Sequence, residues 1–186
     1  MKAIQKLESE KKKSAFYRNG YRVSCELGML YRNLRFYSKL INSNVSDKDL
    51  IIAMTPEFQR SNDNWSLKRK IKFVENTISG NPTDIILFTI GDSVMDDCGI
   101  LDGLQRLTAI DGWLKDEFPI FGDIYFSDLS GLKRRPFSDS RVSFVIHTFS
   151  SEEEAVRFYI DINEGITHSD EDIQKARNYI DNLSKE

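Results

Sequence analysis

The stretch from Ile100 to Ile110 contains the residues best suited to binding an anion. Two apolar residues lead into Asp102 and Gly103, and an apolar pattern with helical spacing begins directly behind them. A glycine at this turn permits positive φ and close approach of a ligand, and the first-turn amides of a helix carry the positive end of its dipole. Gln105 and Arg106 stand in that first turn, where a guanidinium can grip phosphate in a forked geometry. The same residues also fit a capped strand-to-helix turn with a solvated arginine, because Asp-Gly turns are common.

A second Gln-Arg pair, Gln59 and Arg60, follows a proline on an irregular stretch, where functional side chains are often displayed. We expect this pair and the pair Gln105 and Arg106 to converge on one triphosphate. For Arg60 the alternative is an ordinary ion pair with one of the many carboxylates. For Asp102 several roles stay open: N-cap of the helix, acceptor from a ribose or base, or holder of a metal-bound water.

The remaining polar and aromatic residues favour structural roles. Trp65 is interpreted as a packing residue rather than a platform for stacking a base. His147 lies in an apolar strand pattern, as is typical of a core histidine. A loop with three aspartates offers oxygen ligands for Mg²⁺, although such loops are usually just solvated: Asp92, Asp96 and Asp97. No protein-bound metal site is therefore predicted.

Composition limits the classes of function. The chain has 186 residues, which suits one domain with appendages. With 26 basic and 29 acidic residues the net charge is −3, which argues against holding duplex DNA by bulk charge but leaves a local basic face open. Two widely separated cysteines, Cys25 and Cys98, and two histidines argue against a structural zinc site and suit a reducing compartment. Because no signal peptide and no run of about eighteen apolar residues is found, we expect a cytoplasmic protein that does not contact membranes.

Apolar periodicity predicts a single α+β domain with a small mixed sheet flanked by helices. Residues 1–44 are expected to form an N-terminal helical extension, and residues 45–186 the main domain. Helices are predicted, in chain order, at Cys25 to Ile41, Ser66 to Ser79, 104–117, from Ser150 to Gly165, and from Ser169 through Leu183. Strands or extended segments are predicted at Leu50 to Met54, Asp84 to Ile90, Gly99 to Leu101, 119–121, 124–126 and Arg141 to Phe149. A basic loop is predicted at Leu132 to Asp139, solvated by default and otherwise a contact for a DNA backbone.

Three segments, in this order, resemble the N-terminal domain of GmrSD-type modification-dependent restriction proteins, a family of the ParB/sulfiredoxin-like superfamily. They are Pro56 to Arg60 followed by Trp65, Ile100 to Ile110, and Phe158 to Gly165. The resemblance covers about residues 45 to 180 and implies a ParB/sulfiredoxin-like fold. It also implies that an NTP, with or without Mg²⁺, is bound by Gln59, Arg60, Gly103, Gln105, Arg106 and Asn163, the last closing the site from the other side. Asp102, Gln105 and Arg106 would be the catalytic residues.

The middle segment departs from the family's Asp-Gly-Gln-Gln-Arg signature, because Leu104 stands at the first glutamine. In the restriction proteins this loop supports NTP hydrolysis linked to cleavage or nicking of DNA. Leu104 puts hydrolysis in doubt more than binding, and it excludes the cysteine chemistry of sulfiredoxins at this position. The family's downstream HNH-type nuclease domain has no counterpart in this sequence, so the chain is expected to be the sensor or NTPase part alone.

Two functions are therefore weighed. The first is an NTP-binding domain, with hydrolysis left open, that acts on or regulates DNA in a restriction or anti-invader setting. The alternative is a non-catalytic phage or mobile-element module that antagonises or regulates a host protein or a restriction system.

Overall fold

A mixed four-stranded sheet forms the centre of the described structure. The computed structural model describes residues 20–40, 43–59, 65–81, 83–91, 97–131, 135–163 and 170–183. The strands are β1 (Tyr21–Glu26), β2 (Asp84–Ile90), β3 (Gly99–Asp102) and β4 (Arg141–Phe149), in the spatial order β1-β4-β2-β3. β2 and β4 run parallel, whereas β1 pairs antiparallel with β4 and β3 pairs antiparallel with β2.

Helices cover both faces of this sheet. Within the described residues they are α1 (Leu30–Tyr37), α2 (Leu50–Ala53), α3 (Leu67–Ile78), α4 (Leu104–Leu114), α5 (Arg135–Ser138), α6 (Glu152–Asn163) and α7 (Asp170–Leu183). Short 3₁₀ turns lie at Leu27–Met29 and Phe126–Asp128. No helix in these ranges is long and apolar enough to cross a bilayer.

The apolar side chains form two clusters, one on each side of the sheet. The first core contains residues of α1 to α4 together with the inward side of the strands, including Leu34, Val74 and Leu107. The second core contains Phe58, Phe88, Leu101 and Phe149 with the apolar faces of α6 and α7. The strand β3 contributes to both, because successive residues of a strand point to opposite faces.

Several predictions of the sequence are confirmed. The α+β class and the mixed sheet flanked by helices are observed, and β2 and β4 have the predicted bounds. In β4, Val142, Phe144 and Ile146 are buried on one side, as the alternation indicates. Ser66 caps α3, because its side chain accepts a hydrogen bond from the backbone N–H of Arg69.

The N-terminal part departs from the predicted helix. Cys25 lies in strand β1, which pairs with β4 from Tyr21↔Ile146 to Glu26↔Arg141, and the helix begins only at Leu30. The expectation of a helical extension is therefore wrong for Tyr21–Glu26. The strand was hidden because only Cys25 of its six residues is buried, so the apolar pattern reads as part of the following helix. Residues 1–19 lie outside the described part.

The apolar run Leu50 to Met54 is a helical turn and not a strand. The backbone N–H of Ala53 donates to the carbonyl of Asp49, and that of Met54 donates to the carbonyl of Leu50. The carbonyl of Met54 then accepts from the N–H of Ile100 at 2.8 Å, so the segment covers the outer edge of β3.

Two further segments differ from expectation. In place of strands at 119–121 and 124–126 the structure has one isolated bridge, Ile120↔Ile124. The described end of the predicted basic loop forms the short helix α5, while residues 132–134 lie outside the described ranges.

Candidate functional site

Helix α4 starts at a glycine held in the left-handed region. Gly103 is the N-cap with φ 89° and ψ 16°, and the cap makes no side-chain hydrogen bond. A Cβ at this position would stand 3.2 Å from the Cα of Ile85 in β2, so the turn is pressed against the sheet backbone. Of the roles left open for Asp102, the N-cap is wrong, because Gly103 occupies that position. The first turn of the helix is thus left without a side-chain cap.

Asp102 instead pairs with Arg106 one helical turn away. The Nη2 of Arg106 donates to Oδ2 of Asp102 at 2.5 Å, and about a quarter of each side chain is exposed (24% and 27%). The Nη1 of Arg106 donates to the backbone carbonyl of Asp84. The guanidinium therefore lies between the end of β3 and the start of β2, at the surface.

The side chain of Asp84 connects the Asp102–Arg106 ion pair with strand β1. It lies 2.5 Å from Nη1 of Arg22 in β1. Burial alone would raise the pKa of Asp84, but hydrogen bonds from Ser143 and Arg22 and the positive charges of Arg22 and Arg106 lower it below its usual value. The group is thus an ionised carboxylate between two arginines. Sequence reasoning missed Arg22 and Asp84, because nothing in a spacing of 62 residues predicts their contact.

Gln105 is buried with its side-chain amide unsatisfied. Only 4% of the residue is exposed, and neither Oε1 nor Nε2 has a hydrogen-bond partner within the described part of the protein. Burying such an amide without a partner costs about 1–3 kcal/mol. An exception of this kind in a folded protein calls for an explanation, and a ligand that the residue contacts is one.

Gln59, in contrast, is fully engaged with strand β3. Its Nε2 donates to the carbonyls of Ile100 at 2.8 Å and Leu101 at 2.7 Å. Its backbone carbonyl accepts from Nζ of Lys175 in α7 at 2.6 Å. The structure therefore places Gln59 beside the strand that leads into Asp102, where it holds the edge of the sheet. Arg60 lies outside the described residues.

Asn163 is the last residue of α6 and bonds to its own helix. Its Nδ2 donates to the carbonyl of Tyr159 at 2.7 Å, and the residue is 5% exposed. Tyr159 packs on Phe58 with ring centroids 5.5 Å apart. Among the described residues Asn163 makes no hydrogen bond to the turn at Asp102 to Arg106, and its bond to Tyr159 places it beside the second core.

Trp65 and His147, for which packing roles are predicted, both pack against aromatic side chains. Trp65 lies edge-on to Phe73 with ring centroids 5.4 Å apart, and the guanidinium of Arg69 lies 4.4 Å from its ring centroid. His147, in β4, is partly buried and packs against Phe149 of the same strand and Phe158 of α6. Asp92 and Asp96 lie outside the described part, and the residues within it contain no cluster of acidic, histidine or cysteine side chains able to hold a metal ion.

Comparison with known proteins adds no relative: no family model, no curated protein and no solved structure matches the chain. The turn at Asp102 to Arg106, with its uncapped helix start and the buried amide of Gln105, is the candidate site.

Proposed function

We propose that the turn from Asp102 to Arg106 binds the phosphate groups of a nucleoside triphosphate. The observation that carries the proposal is the buried and unsatisfied amide of Gln105, in the first turn of a helix whose N-terminus has no side-chain cap. The first-turn N–H groups of a helix have no partner within the helix and carry its positive dipole end. A phosphate at this turn would accept from the backbone N–H groups, and from Nε2 of Gln105 once that buried side chain turns toward it.

Arg106 is the second donor of the proposed site. A guanidinium has five N–H groups, and the two bonds to Asp102 and Asp84 leave others to donate. When phosphate binds, its oxygens compete with the Asp102 carboxylate for Nη2. Asp102 therefore keeps Arg106 in place before binding and is the group that the phosphate displaces or joins.

Gly103 fixes the start of the turn. The residue is buried, and the Cβ that it lacks would meet Ile85, so the glycine lets helix α4 begin close against β2. The resemblance of this segment to the GmrSD-type signature supports a nucleoside triphosphate over other anions. It also supports action on DNA in a restriction or anti-invader setting, with Mg²⁺ carried in by the nucleotide.

Calorimetric titration with ATP, GTP, CTP and UTP in the presence of Mg²⁺ tests the proposal. We expect one or more of these nucleotides to bind, and Gln105→Leu and Arg106→Ala to weaken binding by about tenfold or more, since each removes a hydrogen bond to a charged group. Arg157→Ala is the matched control. Arg157 also pairs with an acid four residues away, Glu153, on the exposed side of α6.

The control should bind like the wild type. If none of the nucleotides binds, or if Gln105→Leu and Arg106→Ala keep the wild-type affinity, the proposal is wrong. Phosphate release measured with and without DNA then separates the two forms of the function. If the wild type releases phosphate and Arg106→Ala does not, the turn also supports NTP hydrolysis. If the wild type binds a nucleotide but releases no phosphate, the turn only senses the nucleotide.

A further inference from the structure

The outer edge of β1 presents backbone groups that pair with no other described strand. β1 is an end strand of the sheet and pairs with β4 alone among the described strands. The N–H of Leu27 donates to the carbonyl of Ser140, one step beyond the last pair, Glu26↔Arg141. Because hydrogen-bonded pairs alternate along an antiparallel ladder, residues 21, 23 and 25 also bond to β4. The N–H and C=O groups of Arg22, Ser24 and Glu26 therefore point away from the sheet.

A groove runs along this edge, between β1 and α1. It is lined by Ser24 to Glu26 on one side and by Met29, Arg32, Asn33 and Phe36 on the other. Phe36 in α1 is 55% exposed and Met29 in the preceding 3₁₀ turn is 38% exposed, which is high for large apolar side chains beside a core. A groove between an edge strand and a helix is the shape that receives an additional strand.

The outward groups are self-complementary in one register. When two copies of β1 lie antiparallel with Ser24 opposite Ser24, Arg22 of each copy lies opposite Glu26 of the other. All three outward-pointing residues then form hydrogen-bonded pairs. In two of these pairs an Arg22, which also contacts Asp84 of its own copy, lies opposite a Glu26 of the other. A shift by two residues in either direction loses one of the three backbone pairs and the charge match.

We propose that the chain forms a symmetric dimer through antiparallel pairing of β1 with β1 of a second copy, so that one sheet continues through both. A two-fold axis at Ser24 makes the interface isologous. It places the α1 helices of both copies on the same face, where the exposed Met29 and Phe36 of each copy border the added strand. The pairing shares Arg22 with the charged group of the candidate site, where it contacts Asp84, but it requires no bound nucleotide.

Arg141 lies across the middle of this edge and is compatible with the pairing. Its Nη2 donates to the carbonyl of Ser24 at 3.1 Å and its Nε to Oγ of Ser24 at 3.0 Å. A carbonyl oxygen accepts two hydrogen bonds, so the Ser24 carbonyl can keep Arg141 and accept the N–H of the second copy. In the monomer the same contact shields the edge, as charged side chains do on end strands.

Sedimentation equilibrium of the full chain, from low micromolar to millimolar concentration, tests the dimer. Ser24→Pro removes an outward N–H without touching the ladder to β4, and Glu26→Arg turns two attractive pairs into two repulsive ones. We expect a concentration-dependent dimer in the wild type and a monomer for Ser24→Pro. For Glu26→Arg we expect dimerisation weaker by about tenfold. Asp123→Arg, which makes the same charge change at an exposed turn, should dimerise like the wild type.

Val23→Pro checks the register, because the N–H of Val23 points to β4. It should lower the melting temperature by more than Ser24→Pro does, because Ser24→Pro removes only the exposed hydrogen bond between Arg141 and Oγ of Ser24. If the wild type stays monomeric at all concentrations, the proposal is wrong. The groove would then be a site for an extended segment that does not come from β1 of a second copy. A dimer that survives both Ser24→Pro and Glu26→Arg overturns it as well.

Discussion

Gly103 packs closely on Ile85: a Cβ on the glycine would stand 3.2 Å from both the Cα and the Cγ1 of the isoleucine. This contact fixes the start of α4 against the beginning of β2. It also explains why Arg106, one turn into the helix, reaches the carbonyl of Asp84, the residue before Ile85. The glycine is therefore needed for both its conformation and its size.

Gly103→Ala is expected to destabilise the protein by about 2–3 kcal/mol, because positive φ and a close contact act together. Gly80→Ala is the matched control. Gly80 has nearly the same φ, 91°, but nothing lies within 4 Å of the added Cβ, so its cost should be about 1 kcal/mol. Urea denaturation of both variants measures the difference. Equal losses would contradict the close contact.

The two buried glutamines should respond in opposite ways to the same substitution. Gln59→Leu leaves the carbonyls of Ile100 and Leu101 without their partner and should cost about 2 kcal/mol. Gln105→Leu removes an unsatisfied amide and should leave stability unchanged or raise it by about 1 kcal/mol. Thermal melts of the ligand-free protein test the pair, and a large loss in Gln105→Leu would mean that its amide has a structural partner.

Asp84→Asn should change the acid dependence of stability. The pKa of Asp84 is lowered in the folded state, so its ionised form stabilises the fold at pH values above its unfolded pKa, about 3.9. That contribution is lost as the pH falls through the lower, folded pKa. We therefore expect the variant to be less stable than the wild type at neutral pH, with the gap closing in acid.

Chemical denaturation of both proteins between neutral pH and about pH 3 measures this gap. Arg22→Ala should reproduce part of the effect, because it removes the ion pair but keeps Ser143 and Arg106 near the carboxylate. A gap that stays constant over this range would show that Asp84 does not titrate as the structure indicates.

Cys25 should be unreactive in the folded protein. Burial raises the pKa of its thiol to about 11, against a smaller lowering by Arg141, so little thiolate is present at pH 8. Ellman's reagent should therefore modify Cys25 only as the protein unfolds. Cys98, which is 2% exposed, should become accessible in the same transition. Rapid labelling of either thiol without denaturant would contradict this burial.

The sequence predicted those elements whose apolar pattern is local. In β2, β4 and α3 the apolar pattern of the element itself indicates which residues are buried. Ser66 is likewise an N-cap that can be identified from the sequence alone. The strand β1 has a single buried residue and exists because β4 lies beside it. The turn at Leu50–Ala53 is equally apolar as helix or strand, and only its packing decides between them.

The same distinction holds for the candidate site. The glycine turn and the helix behind it follow from residues 100 to 110, and the structure has them where they were predicted. The bonds of Gln59 to β3 and of Arg106 to Asp84 join residues far apart in the chain, so no local pattern contains them. The burial of Gln105 was also hidden, because α4 is buried on most sides and lacks a clear polar face.

The order of the strands has a consequence for synthesis on the ribosome. Tyr21 pairs with Ile146, so the first of the described strands to be made finds its neighbour only after the last of them has been made. Until β4 emerges, β2 and β3 are a hairpin without the strand that joins them to β1. Closure of the sheet is therefore a late and non-local event in folding, and such events are slow. A nascent chain halted before Arg141 would leave β1 with both edges bare, which is the state in which chaperones bind or chains aggregate.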